Sequence, residues 1–422
     1  MNGAGPAAEA VRRALARFDG REPPRTREAA LRGRAFTGVP IAASTGGYDR
    51  AALQVCACRA VEAACRAEVP APVEALRRLW CCASWIEGHA AQIFGVQAPA
   101  LLRCENREEL LHRQPAAVAR GFALEQTARA IACAVGGATG PAARVGGLEH
   151  APDPAALHAL TPHVHEALDD ALATVGWVSG FDFPDSALDI PLFALDDPVH
   201  GGPGRGRARY PIDDGVGVLA TNGLGFPLQD FEAFIMRPRP VRAEAARAVL
   251  RGAKAALTGP LARNALTHQR LHPFARSAAR GAGLDADERN PHRVVLIRAV
   301  ELIHALEEAL ALIEHYEPPN RAHVEVVPRA GRGIAAAEAP SGLLYQRYDL
   351  RADGTVTAVR MFGPAELNRG AVELDLRRAA RAALRREPAL DEVRMARLCA
   401  RLADNYGLRG EGAAAARPAS GA

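Results

Sequence analysis

Apolar residues recur at helical spacing over much of the chain. Residues 51–95 predict two helices separated by Glu68-Val69-Pro70-Ala71-Pro72, the second carrying a stripe of Leu76, Leu79, Ile86 and Ile93. A third helix runs to the Gly136-Gly137 stop, and 152–179 is helical again. The clearest pattern follows Asn290-Pro291, where Leu296, Val300, Ile303, Leu306, Leu310 and Ile313 recur at steps of three and four until Pro318-Pro319. That helix must bury its apolar face against others. Two closing helices are expected over 371–386 and 390–405.

Strand patterning is confined to shorter stretches. Residues 323–327 and 342–361 read as strands, the latter turning at Arg351-Ala352-Asp353-Gly354 as a hairpin does. Residues 181–240 are rich in Gly, Pro and Asp, with brief β-like runs such as Gly215-Val216-Gly217-Val218-Leu219, and are read as irregular. The fold class expected is α+β, predominantly helical. No internal repeat is visible.

Composition excludes several classes. With 422 residues, 49% hydrophobic and 24% charged, general disorder is ruled out. No apolar run approaches the roughly 18–20 uncharged residues of a membrane helix, and the start lacks the layout of a secretion signal, so a cytoplasmic protein is expected. The net charge of +4 is spread along the chain among acidic neighbours, which argues against nucleic acid as a partner. Lys254 is the sole lysine, a bias of composition rather than of a binding surface. Eight cysteines without an export signal imply reduced thiols.

The cysteines are Cys56, Cys58, Cys65, Cys81, Cys82, Cys104, Cys133 and Cys399, and they lack the double pair of a structural zinc site. On a helix Cys56 and Cys58 point about 200° apart and cannot chelate one ion, whereas Cys58 and Cys65 share a face. Core packing is the expected role of these thiols. His89, His150, His163 and His165 have no HExxH-like spacing. The run Gly201-Gly202-Pro203-Gly204-Arg205-Gly206 has neither a preceding strand nor a GK[ST] ending, and no G-x-S-x-G elbow is present. The residues by themselves assign no chemistry.

Longer strings add more. Leu31-Arg32-Gly33-Arg34 with Val39-Pro40, Trp85-Ile86-Glu87-Gly88-His89-Ala90 and Arg144-Val145-Gly146-Gly147 occur in that order. They are followed by Thr258-Gly259-Pro260-Leu261-Ala262-Arg263-Asn264, Asn290-Pro291, Arg298-Ala299-Val300-Glu301, Tyr316-Glu317-Pro318-Pro319 and Glu338-Ala339-Pro340-Ser341-Gly342-Leu343-Leu344-Tyr345. Together this collinear set resembles the large (alpha) subunit of NiFe hydrogenases, in the cytoplasmic, NAD(P)-linked sulfhydrogenase-type branch. The resemblance implies a large-subunit-like helical bundle with peripheral β-hairpins. It divides the chain into a mobile segment over 1–26, one domain over 27–406 and a disordered tail over 407–422.

The family's chemistry rests on four cysteine thiolates that hold nickel and iron, since soft thiolates bind and bridge these ions. By alignment with the family's motifs, Gly46 and Asp49 stand at the first pair of ligand positions, and Arg409 and Gly412 at the second. The histidines that accompany these pairs are replaced by Leu53 and Ala415, and the arginine and histidine of a later motif by Ser341 and Gln346; a further histidine has become Gly140. The family's amino-terminal hairpin with its glutamate has no counterpart. The resemblance therefore implies a degenerate member with no catalytic, cofactor-binding or metal-ligating residue, and no nickel-iron centre.

The function expected is a non-catalytic subunit, a pseudoenzyme, that docks on an iron-sulfur small subunit in a hydrogenase-like redox complex. The alternatives are a hydrogenase assembly or maturation scaffold that meets maturation proteins, or an oxidoreductase subunit with a repurposed cavity, as in the quinone-site relative in complex I.

Overall fold

The long helices form where the apolar spacing places them. The computed structural model describes residues 6–18, 24–44, 47–136, 142–197, 208–238 and 247–407. The helices used below are α1 (Pro6–Phe18), α2 (Arg50–Cys65), α3 (Ala71–Gln92), α4 (Pro115–Ala134), α5 (Thr161–Ser179), α6 (Pro260–Thr267), α7 (Pro273–Gly281), α8 (Val294–Glu314), α9 (Pro364–Arg386) and α10 (Glu392–Ala403). Between α2 and α3 the chain reverses through Arg66 in the left-handed region, where Ala67 N–H returns to the Glu62 carbonyl. Pro72 sits in the first turn of α3, where its missing N–H breaks no helical bond. Among the described residues no helix is long and apolar enough to cross a membrane.

Helix α8 lies at the centre, packed against α3, α5 and α7. Residues 294–306 of it are all buried, as expected of a helix apolar on nearly every side. Three of those buried residues, Arg298, Glu301 and His304, are polar or charged, and they become the back wall of the site.

Two three-stranded antiparallel sheets accompany the helices. Strands β1 (Phe193–Asp196), β2 (Gly217–Ala220) and β3 (Gly225–Pro227) lie in the order β1-β2-β3. They occupy the region read as irregular, because the short runs pair through the turn at 221–224, where Ala220 N–H donates to Leu224 O. The second sheet is a meander of β4 (Gly331–Ala339), β5 (Gly342–Leu350) and β6 (Val356–Phe362), with Ala339 opposite Gly342 across a two-residue tip. Its faces alternate as strand geometry requires: Ala335, Ala337 and Ala339 pack toward α2, while Ala336, Leu343 and Tyr345 meet β1–β3. Gly333 allows the approach to α2, since a Cβ there would lie 1.8 Å from Ala60 O.

Two expectations are corrected. Residues 323–327 form no strand and make only an isolated bridge from His323 to Gly147, held by Val324 N–H to Gly146 O and Leu148 N–H to Ala322 O. Gly146 and Gly147 accept this close approach at φ values of +89° and +155°. Within the first 26 residues, expected to be mobile, α1 docks on α9 and α10 and buries Ala10, Val11, Ala14 and Leu15, a helical stripe that anchors it. The tail assigned to 407–422 lies, beyond Gly407, outside the described residues, as does the glycine run at 201–206.

Candidate functional site

The tip of the β4–β5 hairpin, Pro340-Ser341, reaches the turn at Tyr48-Asp49 that leads into α2. Ser341 Oγ donates to Asp49 Oδ2, so two of the substituted positions close directly on each other. Two more also meet: Gln346 Nε2 donates to Leu53 O at 3.0 Å, and Gln346 Oε1 accepts from Tyr348 at 2.7 Å. Gly46, Gly140, Arg409, Gly412 and Ala415 lie outside the described residues.

The tip is held from below by the Thr258-Gly259 turn ahead of α6. Gly259 has φ +107°, and a Cβ there would stand 2.8 Å from Ser341 O. Asn368 clamps the turn by accepting from Thr258 N–H at 2.8 Å and donating to Thr258 O at 3.1 Å, and Thr258 Oγ1 accepts from Leu343 N–H at 3.2 Å.

Behind the tip lies a buried charge network. Arg263 on α6 donates to Glu301 Oε1 and Oε2 at 2.7 and 2.9 Å, to Glu338 Oε2 at 2.9 Å and to the carbonyls of Ala339 and Pro340. Tyr210 also donates to Glu301 Oε1, at 2.7 Å, and His89 Nε2 lies 3.0 Å from Glu301 Oε2. The guanidinium of Arg263 stacks over Trp85, whose indole N–H donates to Glu338 O. Arg298 Nη1 makes two longer contacts of 3.3 Å, to His89 Nδ1 and Pro340 O.

Burial and neighbouring charge set the ionisation of these groups. Against the upward push of burial, the Arg263 guanidinium and His89 pull the Glu301 carboxyl far below its usual range. Burial pushes Glu338 up to about 7, with Arg263 opposing. Burial also lowers His89 to about 4 and Arg298 to about 10, and raises the Asp49 carboxyl against the pull of its bond to Ser341. The wall behind the tip thus holds two arginines, one firmly ionised carboxylate and a second carboxyl near its titration point.

A nickel-iron centre would need thiolates, and among the described residues at the hairpin tip there is none. Asp49 offers hard oxygen, and Oδ2 is already taken by Ser341. The eight cysteines lie elsewhere in the core or, for Cys133, at the surface. Cys58 packs in the helical core and Cys56 in the layer between α2 and β4–β6, in keeping with their opposite directions on α2. Cys65, the last residue of α2, joins Cys56 in that layer. Cys56 Sγ donates to Ala335 O, and burial drives the Cys58 thiol up to about 12 and those of Cys56, Cys81 and Cys82 upward as well. Among the described residues no cysteine joins a set of three potential metal ligands.

One such set exists without cysteine: His272, His304 and Glu308, whose ligand atoms lie within 4.8 Å of one another. It escaped the sequence reading, although His304 and Glu308 stand four apart on α8. His304 Nδ1 accepts the His272 backbone N–H at 3.1 Å, which leaves the ring proton on Nε2 and no free lone pair. His272 Nε2 lies 2.6 Å from Glu308, and Arg78 also donates to that carboxylate. Glu308 is thus taken by His272 and Arg78, His304 Nε2 carries its proton without a partner among the described residues, and Arg78 repels a cation. His150, His163 and His165 are exposed.

No protein-family model matches the chain. In sequence it is 25% identical over 366 residues to the sulfhydrogenase 2 subunit alpha of Pyrococcus furiosus, a match that covers 84% of this chain and 82% of that protein. In structure it is similar to an NAD+-reducing NiFe-hydrogenase in its H2-reduced state, with a TM-score of 0.75, 19% identity and 90% of each chain covered. It is similar also to the Ni-Fe-Se hydrogenase of D. vulgaris Hildenborough in the reduced state, with a TM-score of 0.64, 15% identity and 91% and 92% of the two chains covered. The sequence match across most of both chains and the shared fold together make this chain similar to the large subunits of NiFe hydrogenases.

Proposed function

We propose that the chain is a non-catalytic, hydrogenase large-subunit-like protein that docks on an iron-sulfur small subunit within a redox complex. The observation that carries this reading is the Asp49–Ser341 hydrogen bond. Two positions that by the resemblance face the metals are occupied by side chains that bond to each other, and neither presents a soft ligand. The frame around them is kept: a fully buried network on α3, α6 and α8 and a two-sided sheet, costly to maintain unless its shape has a use. A protein named as a subunit alpha works beside other subunits, and its resemblance to this chain across most of both lengths supports a docking role.

Co-purification from the native locus tests the reading. Recovery of an iron-sulfur small subunit with flavin-type electron-transfer subunits is the expected result. Recovery of maturation proteins in their place would replace the docking role with one in assembly.

A further inference from the structure

The Asp49–Ser341 closure leaves part of the same wall unsatisfied. Arg298 is completely buried, yet Nε and Nη2 have no hydrogen-bond partner among the described residues. Those two nitrogens form one edge of the guanidinium, a pair of parallel N–H donors. The remaining nitrogen makes only the two 3.3 Å contacts to His89 and Pro340. Pro340 adjoins Ser341, so the free edge belongs to the same compact site as Asp49, whose Oδ1 is also buried without a partner among the described residues. Leaving donors buried and unpaired is destabilising, more so for a charged group than for a neutral one. The nearby carboxylates do not relieve it: Glu301 is engaged by Arg263, Tyr210 and His89, and Glu338 by Arg263 and the Leu195 N–H.

We propose that the free edge of Arg298 binds a small carboxylate, one or two carbons long, where the family holds its metals. Two oxygens in a plane match two parallel N–H donors, and a planar guanidinium prefers this bidentate pairing to a point contact. The ligand is small because Arg298 is wholly out of solvent, and His89, Glu301 and Ser341 nearby are themselves buried. The proposal rests on the reading that the centre holds no nickel and iron.

The test uses the full-length protein and sodium formate, with sodium chloride at equal ionic strength and neutral formamide as controls. Formate is expected to raise the melting temperature saturably, chloride and formamide not. In Arg298→Lys, which keeps the charge and loses the fork, formate affinity is expected to fall at least about tenfold. The proposal is overturned if formate does not stabilise the wild type, or if Arg298→Lys binds it unchanged. Nickel and iron analysis of the same preparation separates the two failures: a metal-loaded chain defeats the metal-free reading, whereas a metal-free chain indifferent to formate defeats this inference alone.

Discussion

Replacing Arg263 with Met removes the one cation that both Glu301 and Glu338 share. Arg263 is fully buried and makes five hydrogen bonds, to the two carboxylates and to the carbonyls of Ala339 and Pro340. Glu338 takes up a proton readily, because burial already holds it at about 7, so it adds little to the cost at neutral pH. Glu301 is held far below its usual range and loses its main partner. Breaking a buried pair in this way costs about 3–5 kcal/mol. With an unfolding entropy of about 2.1 cal/mol/K per residue, a chain of 422 residues loses roughly 0.9 kcal/mol per degree. Arg263→Met should therefore lower the melting temperature by about 3–6 °C in differential scanning calorimetry. Adding Glu301→Gln should restore at least about 1 kcal/mol, since the stranded charge is then removed. A shift below about 1 °C for the single variant, or a double variant worse than the single, would show that the network does not carry this energy.

Other consequences follow from the same interior. Burial holds His304 at about 3 and His89 at about 4, so the unfolded chain takes up their protons first and stability is lost as pH falls from about 6.5 toward those values. Glu338, raised to about 7, acts in the opposite sense between about 4.5 and 7. His304→Asn, whose amide oxygen can still accept the His272 N–H, should reduce the pH slope of the urea-unfolding free energy over the histidine range by about 1.4 kcal/mol per pH unit, and an unchanged slope would contradict the assignment. Gly333→Ala should cost about 1–3 kcal/mol by forcing α2 and β4 apart, visible as a lower urea midpoint; an unmoved midpoint would mean the two elements are not in contact there. A thiol reagent should label only Cys133 in the native protein and eight cysteines in urea; rapid native labelling of more would show that α2 and α3 are not packed as described.

Much of this fold was legible in the sequence because apolar periodicity reports burial directly. The stripe from Leu296 to Ile313 marks the central helix, and Arg351-Ala352-Asp353-Gly354 the β5–β6 turn. What escaped was set by partners distant in the chain. The run Gly331–Ala339 is rich in Gly and Ala and carries little strand signal, and β4 exists because α2 on one face and β1–β3 on the other cover it.

The site was legible in part. Asp49, Ser341, Leu53 and Gln346 stand out by alignment, but their pairing across the hairpin tip depends on how β5 folds back over α2. Arg263, Arg298, Glu301 and Glu338 lie in the strings that carry the resemblance, and charged residues inside apolar helical runs were the signal that could have marked them as a buried network. Tyr210 and the His272–His304–Glu308 cluster are joined only by tertiary packing, which no local pattern reports.

Nickel and iron content, measured on the full-length chain purified anaerobically from its native locus and paired with hydrogen uptake, decides whether the chain is a non-catalytic relative of the enzymes whose fold it shares. Neither metal is expected in stoichiometric amount, and no hydrogen should be consumed. Stoichiometric nickel and iron in a preparation that oxidises hydrogen would mean instead that the chain is a working hydrogenase subunit.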